Sequence, residues 1–358
     1  MKIECPHCNK TYNIPDDRLP PKKRVSFPCP VCKGIIKLDL SEISAPHGDD
    51  RSMPSQVEEK KRIVYTVKSE SNAPLKDKKL KYKILKKIKD LPPMPKVIMQ
   101  VRQIMNNPKL SFKDIAQAIG TDQAISARTL KMANSAYYGL SRQVASIQQA
   151  SVVLGYNTLN ELITSAAAST LLGKTLKGYG ISSNAMWRHS LAVAFGAKTI
   201  ANKKNPVLEN NAFLAGLIHD SGKLVLDPYI DEKKHYFQTC MKEFQNRSVL
   251  AEKQVLGIDH SEIASEICKK WKIPEEIATA IRYHHNPLKS KKNLLAYFIH
   301  AADYIAVLSE IKDDTGKQSF QPEEGVLEFI GIEKDIDDIM GSVVEYVDKI
   351  TTDINSGK

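Results

Sequence analysis

From Lys81 onward the apolar residues recur at helical spacing and continue to do so almost to the end of the chain, while the first 80 residues show no such rhythm. Leu91-Pro92-Pro93-Met94-Pro95 interrupts the pattern and predicts the end of one helix and the approach to the next. Ser111 and Asp114 make a capping pattern ahead of Ile115 and Ile119, closed by Gly120. Asp122 is placed to cap a helix through Ile125, Leu130 and Ala133. Ser146 opens another through Val152–Leu154, stopped at Gly155, with Leu159–Leu172 following. Further helices are predicted at Asn184–Ala201, Asn211–His219, Asp231–Gln245, Asp259–Trp271, Glu275–His284 and Leu294–Leu308. Ile336, Ile339, Val343 and Val347 predict a closing amphipathic helix within Gln321–Ile354. Helices joined by short turns, without an alternating strand pattern, predict an all-α, multi-helical domain.

The front of the chain differs. Residues 41–80 are rich in Ser, Pro and charge and cannot bury enough apolar surface to offset their ordering entropy, so they read as a polar linker with a short strand expected at Ile63–Val67. Residues 1–40 hold four of the six cysteines and little that could form a core. The expected organisation is 1–40, a cysteine-rich module; 41–80, the linker; 81–310, the helical domain; and 311–358, a helical extension.

Composition narrows the class. With 42% hydrophobic and 26% charged residues and a mean hydropathy of −0.33, the chain can build a sizeable core. No apolar run of transmembrane length occurs, and the polar N-terminus lacks the core of a signal peptide. A cytoplasmic protein without membrane contact is expected. The net charge of +11 is unevenly placed: residues 1–90 carry 21 Lys and Arg against 12 Asp and Glu. That balance of +9 makes the front end a candidate for an acidic partner, nucleic acid included, although a solvated lysine-rich linker explains it equally simply.

Cys5-Pro6-His7-Cys8 and Cys29-Pro30-Val31-Cys32 are two CxxC pairs separated by 20 residues. Each places two thiolates on one tight turn, and two such turns give a tetrahedral sulfur site suited to structural zinc at Cys5, Cys8, Cys29 and Cys32. A 40-residue module without a core needs such a clamp. His7 is read as a bystander. Cys240 and Cys268 lack partners and read as ordinary thiols.

Seven of the nine histidines lie after residue 188. His219-Asp220 ends an apolar helix and is followed by Ser221-Gly222-Lys223, which places an imidazole, a carboxylate and an ammonium together at a sharp exit. His189 lies mid-helix on the inward side with Val193. His260 begins a helix, His284-His285 close another, and Asp303 lies on the last core helix with His300 one turn earlier. Each alone is explained by packing or by a helix dipole. Mixed nitrogen and oxygen donors in this order suit Mn, Fe, Zn or Mg.

The motifs Leu91–Pro95, Ala133-Asn134-Ser135-Ala136-Tyr137-Tyr138-Gly139, Ile147-Gln148-Gln149-Ala150 with Leu154-Gly155, Trp187-Arg188-His189-Ser190, Leu214–Lys223, Asp259–Ile263, His284-His285 and His300–Asp303 resemble the HDOD family, the HD-related output domain of bacterial signalling proteins. The resemblance spans about residues 84–308. The front end resembles the short zinc ribbons of bacterial regulatory proteins. The HDOD resemblance implies an N-terminal helical lobe (81–178), a lobe like the HD phosphohydrolases (179–310), and divalent metal held by His189, His219, Asp220, His260, His284, His285 and Asp303. Asp220 and Lys223 would then serve catalysis, Asp220 bridging metals and Lys223 steadying a phosphate. Many HDOD members lack these ligands, whereas this sequence keeps them. The DGxGYP element of cyclic-dinucleotide phosphodiesterases is absent, Asn286-Pro287-Leu288-Lys289 following His285 instead. Two readings follow. One is a signalling output protein with metal-dependent phosphohydrolase or phosphodiesterase chemistry on a phosphoester or nucleotide. The other is a non-catalytic adaptor for a signalling protein or nucleic-acid partner.

Overall fold

The structure, a computed structural model, describes the strands of residues 2–39 and residues 78–88, 119, 122–309 and 322–355. Cys5, Cys8, Cys29, Cys32 and His7, the linker strand at 63–67, the 91–95 breaker and the capping pattern at 111–114 lie outside the described residues. The chain divides into two compact units, Met1–Ser69 and Glu70–Lys358.

In the first unit, β1 (Lys2–Glu4) pairs antiparallel with β2 (Thr11–Asn13), and β3 (Arg24–Pro28) with β4 (Ile35–Asp39). Each CxxC pair falls in sequence between the two strands of one hairpin.

In the second unit the described elements are helices, apart from an isolated bridge between Leu176 and Ile181. After α1 (Lys78–Lys87), α2 (Gln123–Ala133) begins where the Asp122 carboxylate accepts from the Ile125 amide at 3.1 Å. It ends at Asn134, whose side chain donates to the Val144 carbonyl at 2.9 Å and accepts from the Val144 amide at 2.8 Å. That clasp folds the Tyr137-Tyr138-Gly139 loop back on itself. Ser146 then caps α3 (Ile147–Leu172). Gly155 does not stop this helix. With φ 79° and ψ 173° it makes a kink, a conformation only glycine adopts freely, and helix resumes at once.

The second half is built around α4 (Ser183–Lys204) and α5 (Glu209–Ile218), both buried along most of their length. The helix expected at Asp231–Gln245 is the shorter Lys234–Glu243, and a separate helix precedes it. α6 (Gly222–Glu232) runs through Pro228, and Lys233 separates it from α7 (Lys234–Glu243). Val225, Leu226, Tyr229 and Ile230 keep the buried spacing across the proline, so packing overrides the local breaker. α8 (Ser248–Leu256) was not expected and ends at Gly257, in the left-handed region at φ 74°. α9 (His260–Lys270) is capped by Asp259 as predicted, and α10 (Glu275–Arg282) stops two residues short of expectation. α11 (Leu294–Leu308) matches its prediction. α12 (Val326–Ile330) and α13 (Ile336–Asn355) close the chain.

Tyr137 packs across both halves. Tyr137 meets Phe195 of α4 edge-on at 6.0 Å and Tyr346 of α13 at 4.9 Å, while Tyr346 stacks on Phe195 at 4.2 Å. Such pairs contribute about 0.5–1.5 kcal/mol each beyond the area they bury. Beside them Glu161 of α3 reaches Lys198 of α4 at 2.6 Å. Burial lifts the Glu161 carboxyl to about 7, against the pull of Lys198. Its proton is therefore held more tightly in the folded state, and stability falls as pH rises from the unfolded carboxyl range through 7. Thermal unfolding of Glu161→Gln across pH 4 to 8 is expected to lose that decline, a difference on the order of 3 kcal/mol between the ends of the window.

Candidate metal centre

Five helix ends or faces deliver the site. α5 finishes at Ile218, so His219 and Asp220 stand in the turn into α6. Asp259 holds the start of α9 by accepting from the Glu262 amide at 2.8 Å, which fixes His260 at its first position. His284 and His285 follow the end of α10. His189 projects from α4 and Asp303 from α11, and both are buried. All seven predicted ligands and Lys223 come together. Donor atoms of Asp220, His260, His284 and His285 lie within 4.8 Å of one another, as do those of His189, His219 and Asp220, and those of His219, His284 and Asp303. Asp220 is common to the first two sets, on the two sides of one carboxylate.

Hydrogen bonds fix which nitrogen each ring presents. His219 donates from Nδ1 to the Gly216 carbonyl at 2.7 Å, and His284 from Nδ1 to the Ile281 carbonyl at 2.7 Å. Both rings are therefore left with an Nε2 lone pair facing inward. Both Nε2 atoms are buried without a hydrogen-bond partner. A buried polar atom left unmet costs about 1–3 kcal/mol, so two in one cluster mark a donor set shaped for a cation. His260 Nε2 stands 3.1 Å from Asp220 Oδ1 and 2.9 Å from His285 Nε2. His189 Nε2 lies 3.3 Å from Asp303 Oδ1 and 3.7 Å from Asp220 Oδ2, and Lys223 Nζ donates to Asp220 Oδ2 at 2.7 Å. Nitrogen and carboxylate oxygen without sulfur is the donor chemistry of Mn, Fe, Zn or Mg rather than of a thiolate-seeking ion. The residues fit a divalent metal.

The electrostatics divide the rings into two kinds. Burial disfavours charge on every group here, yet Lys223 and the neighbouring histidines hold the Asp220 carboxyl well below its ordinary value. The same balance, led by His189, brings Asp303 to about 2. Burial, reinforced by neighbouring imidazoles, takes His284 down to about 3 and lowers His285 strongly, and at His219 burial with the help of His189 outweighs the carboxylates. His260 is pushed up to about 10 because Glu252 and Asp220 outweigh its burial, and His189 rises beside Asp303.

His300, which lies one turn before Asp303 but is not among the expected ligands, does not enter the cluster. Its Nδ1 donates to the His284 carbonyl at 2.7 Å and its Nε2 accepts from the Glu323 amide at 2.9 Å, which makes it a brace behind His284. Glu252 and Tyr179, absent from the predicted site, stand directly behind His260. The available signal was an acid among Ala251, Val255 and Leu256, on a segment otherwise patterned for burial.

The HDOD domain model matches residues 91–287, more than half of the chain, and a zinc-ribbon domain model matches residues 1–37. The chain belongs to the HDOD family. The HDOD protein of unknown function from Geobacter sulfurreducens superposes with a TM-score of 0.60 at 24% identity, over 74% of this chain and 97% of its own. A Shewanella amazonensis protein named as a phosphohydrolase gives a TM-score of 0.59 at 24% identity, over 75% and 97%. A Marinobacter aquaeolei protein named for signal transduction gives 0.61 at 21% identity, over 76% and 64%. At these identities the likeness establishes the fold. An uncharacterised Treponema pallidum protein is 24% identical over 209 residues, covering 58% of this HDOD chain and 40% of its own length. Among the described residues no helix is long and apolar enough to cross a membrane.

What keeps the ligands of α4 and α5 close is Gly216. A Cβ there would stand 2.7 Å from the Val193 carbonyl oxygen and 2.8 Å from Ala194 Cα. Gly216→Ala must therefore part the helices carrying His189 and His219. A loss of about 1–3 kcal/mol is expected by denaturant unfolding, and an unchanged midpoint would show that the two helices can separate without cost.

Proposed function

We propose that this HDOD protein is a bacterial signalling output protein whose second half binds divalent metal through His189, His219, Asp220, His260, His284, His285 and Asp303, and that the metal-bound form hydrolyses a phosphoester. The observation that carries the reading is the pair of buried, unpartnered Nε2 atoms on His219 and His284, each with its Nδ1 proton already committed to a carbonyl. When bound, a divalent ion supplies Lewis acidity and a water of lowered pKa. The protein's own groups do the rest. Asp220 presents one oxygen toward His260 and the other toward His189 and His219, placing it between the two donor sets. The Lys223 ammonium, 2.7 Å from Asp220 Oδ2 and buried, brings a fixed positive charge to the edge of the cluster, where a phosphate oxygen would gain from it. Burial excludes bulk water and strengthens both effects. The Shewanella relative's name is in keeping with this chemistry, and the Marinobacter relative's name with the regulatory setting.

Elemental analysis of the purified full chain tests the metal. Wild type is expected to carry metal beyond the zinc of the ribbon, and His219→Ala and Asp220→Asn to lose it; equal non-ribbon metal in all three overturns the assignment. Nucleotides and simple phosphoesters assayed with Mn, Fe or Mg test the chemistry. Turnover that falls about 100-fold or more in Lys223→Met supports it, and background rates throughout reject it. The second reading, an adaptor that uses its basic front end to hold nucleic acid or an acidic protein, is favoured by the +9 balance of residues 1–90. It requires binding that weakens steeply as salt rises.

A further inference from the structure

His219 and His284 are each braced by a neutral carbonyl oxygen, whereas His260 is braced by a carboxylate. Glu252 of α8 is fully buried. Its Oε2 lies 2.8 Å from His260 Nδ1 and 2.7 Å from the His260 amide nitrogen, and its Oε1 lies 2.9 Å from the same Nδ1. The Tyr179 hydroxyl donates to Oε1 at 3.1 Å. Two donors on His260 and one on Tyr179 thus surround a group that only accepts when ionised. Glu252 therefore holds a proton on His260 Nδ1, and Nε2, 3.1 Å from Asp220 Oδ1 and 2.9 Å from His285 Nε2, is the nitrogen free to ligate once it gives up its own proton.

Tyr179 is itself tightly held. It lies in the segment 173–182 that joins α3 to α4, closed by the Leu176–Ile181 bridge. Asp227 of α6 accepts from the Gly178 amide at 2.8 Å and from the Tyr179 amide at 3.4 Å. A Cβ on Gly178 would stand 2.5 Å from both the Asp227 carbonyl oxygen and the Asp231 amide nitrogen, so the segment lies directly against α6. Phe237 of α7 covers the Tyr179 ring edge-on at 5.5 Å.

We propose that Glu252, aligned by Tyr179, is a positioning residue that makes His260 a stronger imidazole donor than the carbonyl-braced His219 and His284, so that metal affinity is set in part from the segment joining the two halves of the domain. The proposal rests on the metal-binding reading above. An anion hydrogen-bonded behind a ligand imidazole locks its orientation and raises its basicity, and removal of such partners weakens metal binding about 10–100-fold. A carbonyl brace does the first of these and much less of the second.

The test is Mn(II) titration of the full chain, with free Mn(II) read from its paramagnetic resonance signal. Mn(II) prefers oxygen and nitrogen donors and leaves the ribbon thiolates to zinc. Glu252→Gln keeps the side-chain volume and removes the charge; Tyr179→Phe removes only the hydroxyl. Binding about 10–100-fold weaker is expected for Glu252→Gln, and about fivefold weaker for Tyr179→Phe. Thermal melts of the metal-free proteins run alongside. A purely structural Glu252 would lower the melting temperature and leave Mn(II) affinity within about twofold of wild type, and that result overturns the proposal. Should Glu252→Gln fail to fold, unchanged affinity in Tyr179→Phe overturns it instead. Wild type that takes up no Mn(II) removes the metal-binding reading itself, and this proposal with it.

Discussion

At the C-terminus of every α-helix the last carbonyls have no amide to receive, and at two places in this protein an imidazole supplies what is missing. His219 and His284 each follow the end of a helix and each donate from Nδ1 to the carbonyl three residues back, Gly216 in one case and Ile281 in the other. One bond meets two needs. It satisfies a buried backbone oxygen, and it fixes the ring's tautomer so that Nε2 can only accept. The rest of the centre depends on this, since a ring free to place its proton on Nε2 would donate to a carboxylate and close the cluster on itself.

The lone pairs converge because the backbones that carry them touch. Gly216 permits α4 and α5 to meet at backbone distance. Gly222 permits the same between the start of α6 and α9, where a Cβ would fall directly upon the His260 carbonyl. Through these two contacts His189, His219, Asp220 and His260 are positioned by main chain rather than by long flexible side chains. His300 extends the logic outward, because its two nitrogens tie the His284 carbonyl to the amide of Glu323 and so brace the ligand from behind.

The sequence revealed the parts of this arrangement that are local. Asp122, Ser146 and Asp259 cap the helices they were expected to cap, since an N-cap needs only three neighbouring residues. That the ligand side chains converge was partly legible because His-Asp and His-His stand at helix ends, where a side chain has no apolar face to join. Three things were not legible. Gly155 reads as a terminator, but its positive φ yields a kink when packing on both sides favours continued helix. α6 hides behind Pro228 because its evidence is the tertiary burial of Tyr229 and Ile230. Glu252 carries only a weak local mark, an acid on a buried face, because its meaning arises when α8 brings it against His260, eight residues on. His300 shares a helix face with Asp303 in projection, yet its ring turns to the backbone of neighbouring segments.

The charge count of the centre argues for a dication independently of the lone pairs. Asp220, Asp303 and Glu252 bring three carboxylates, and Lys223 brings one ammonium, all buried. With neutral imidazoles the cluster holds two uncompensated negative charges in a place from which water is largely excluded, a state costing several kcal/mol per ion. Protons can balance it, and the two rings whose pKa is raised, His189 and His260, each hydrogen-bond a carboxylate. A divalent cation supplies the same two charges at one point, and both rings must give up their protons to become ligands. Metal and protons are thus alternative counter-charges for one fixed set of carboxylates. The Glu252 carboxylate opposes loss of charge from His260, yet once that ring ligates, the same carboxylate makes it the more basic donor. The affinity of the centre is the difference between those two effects, and Glu252 stands in both.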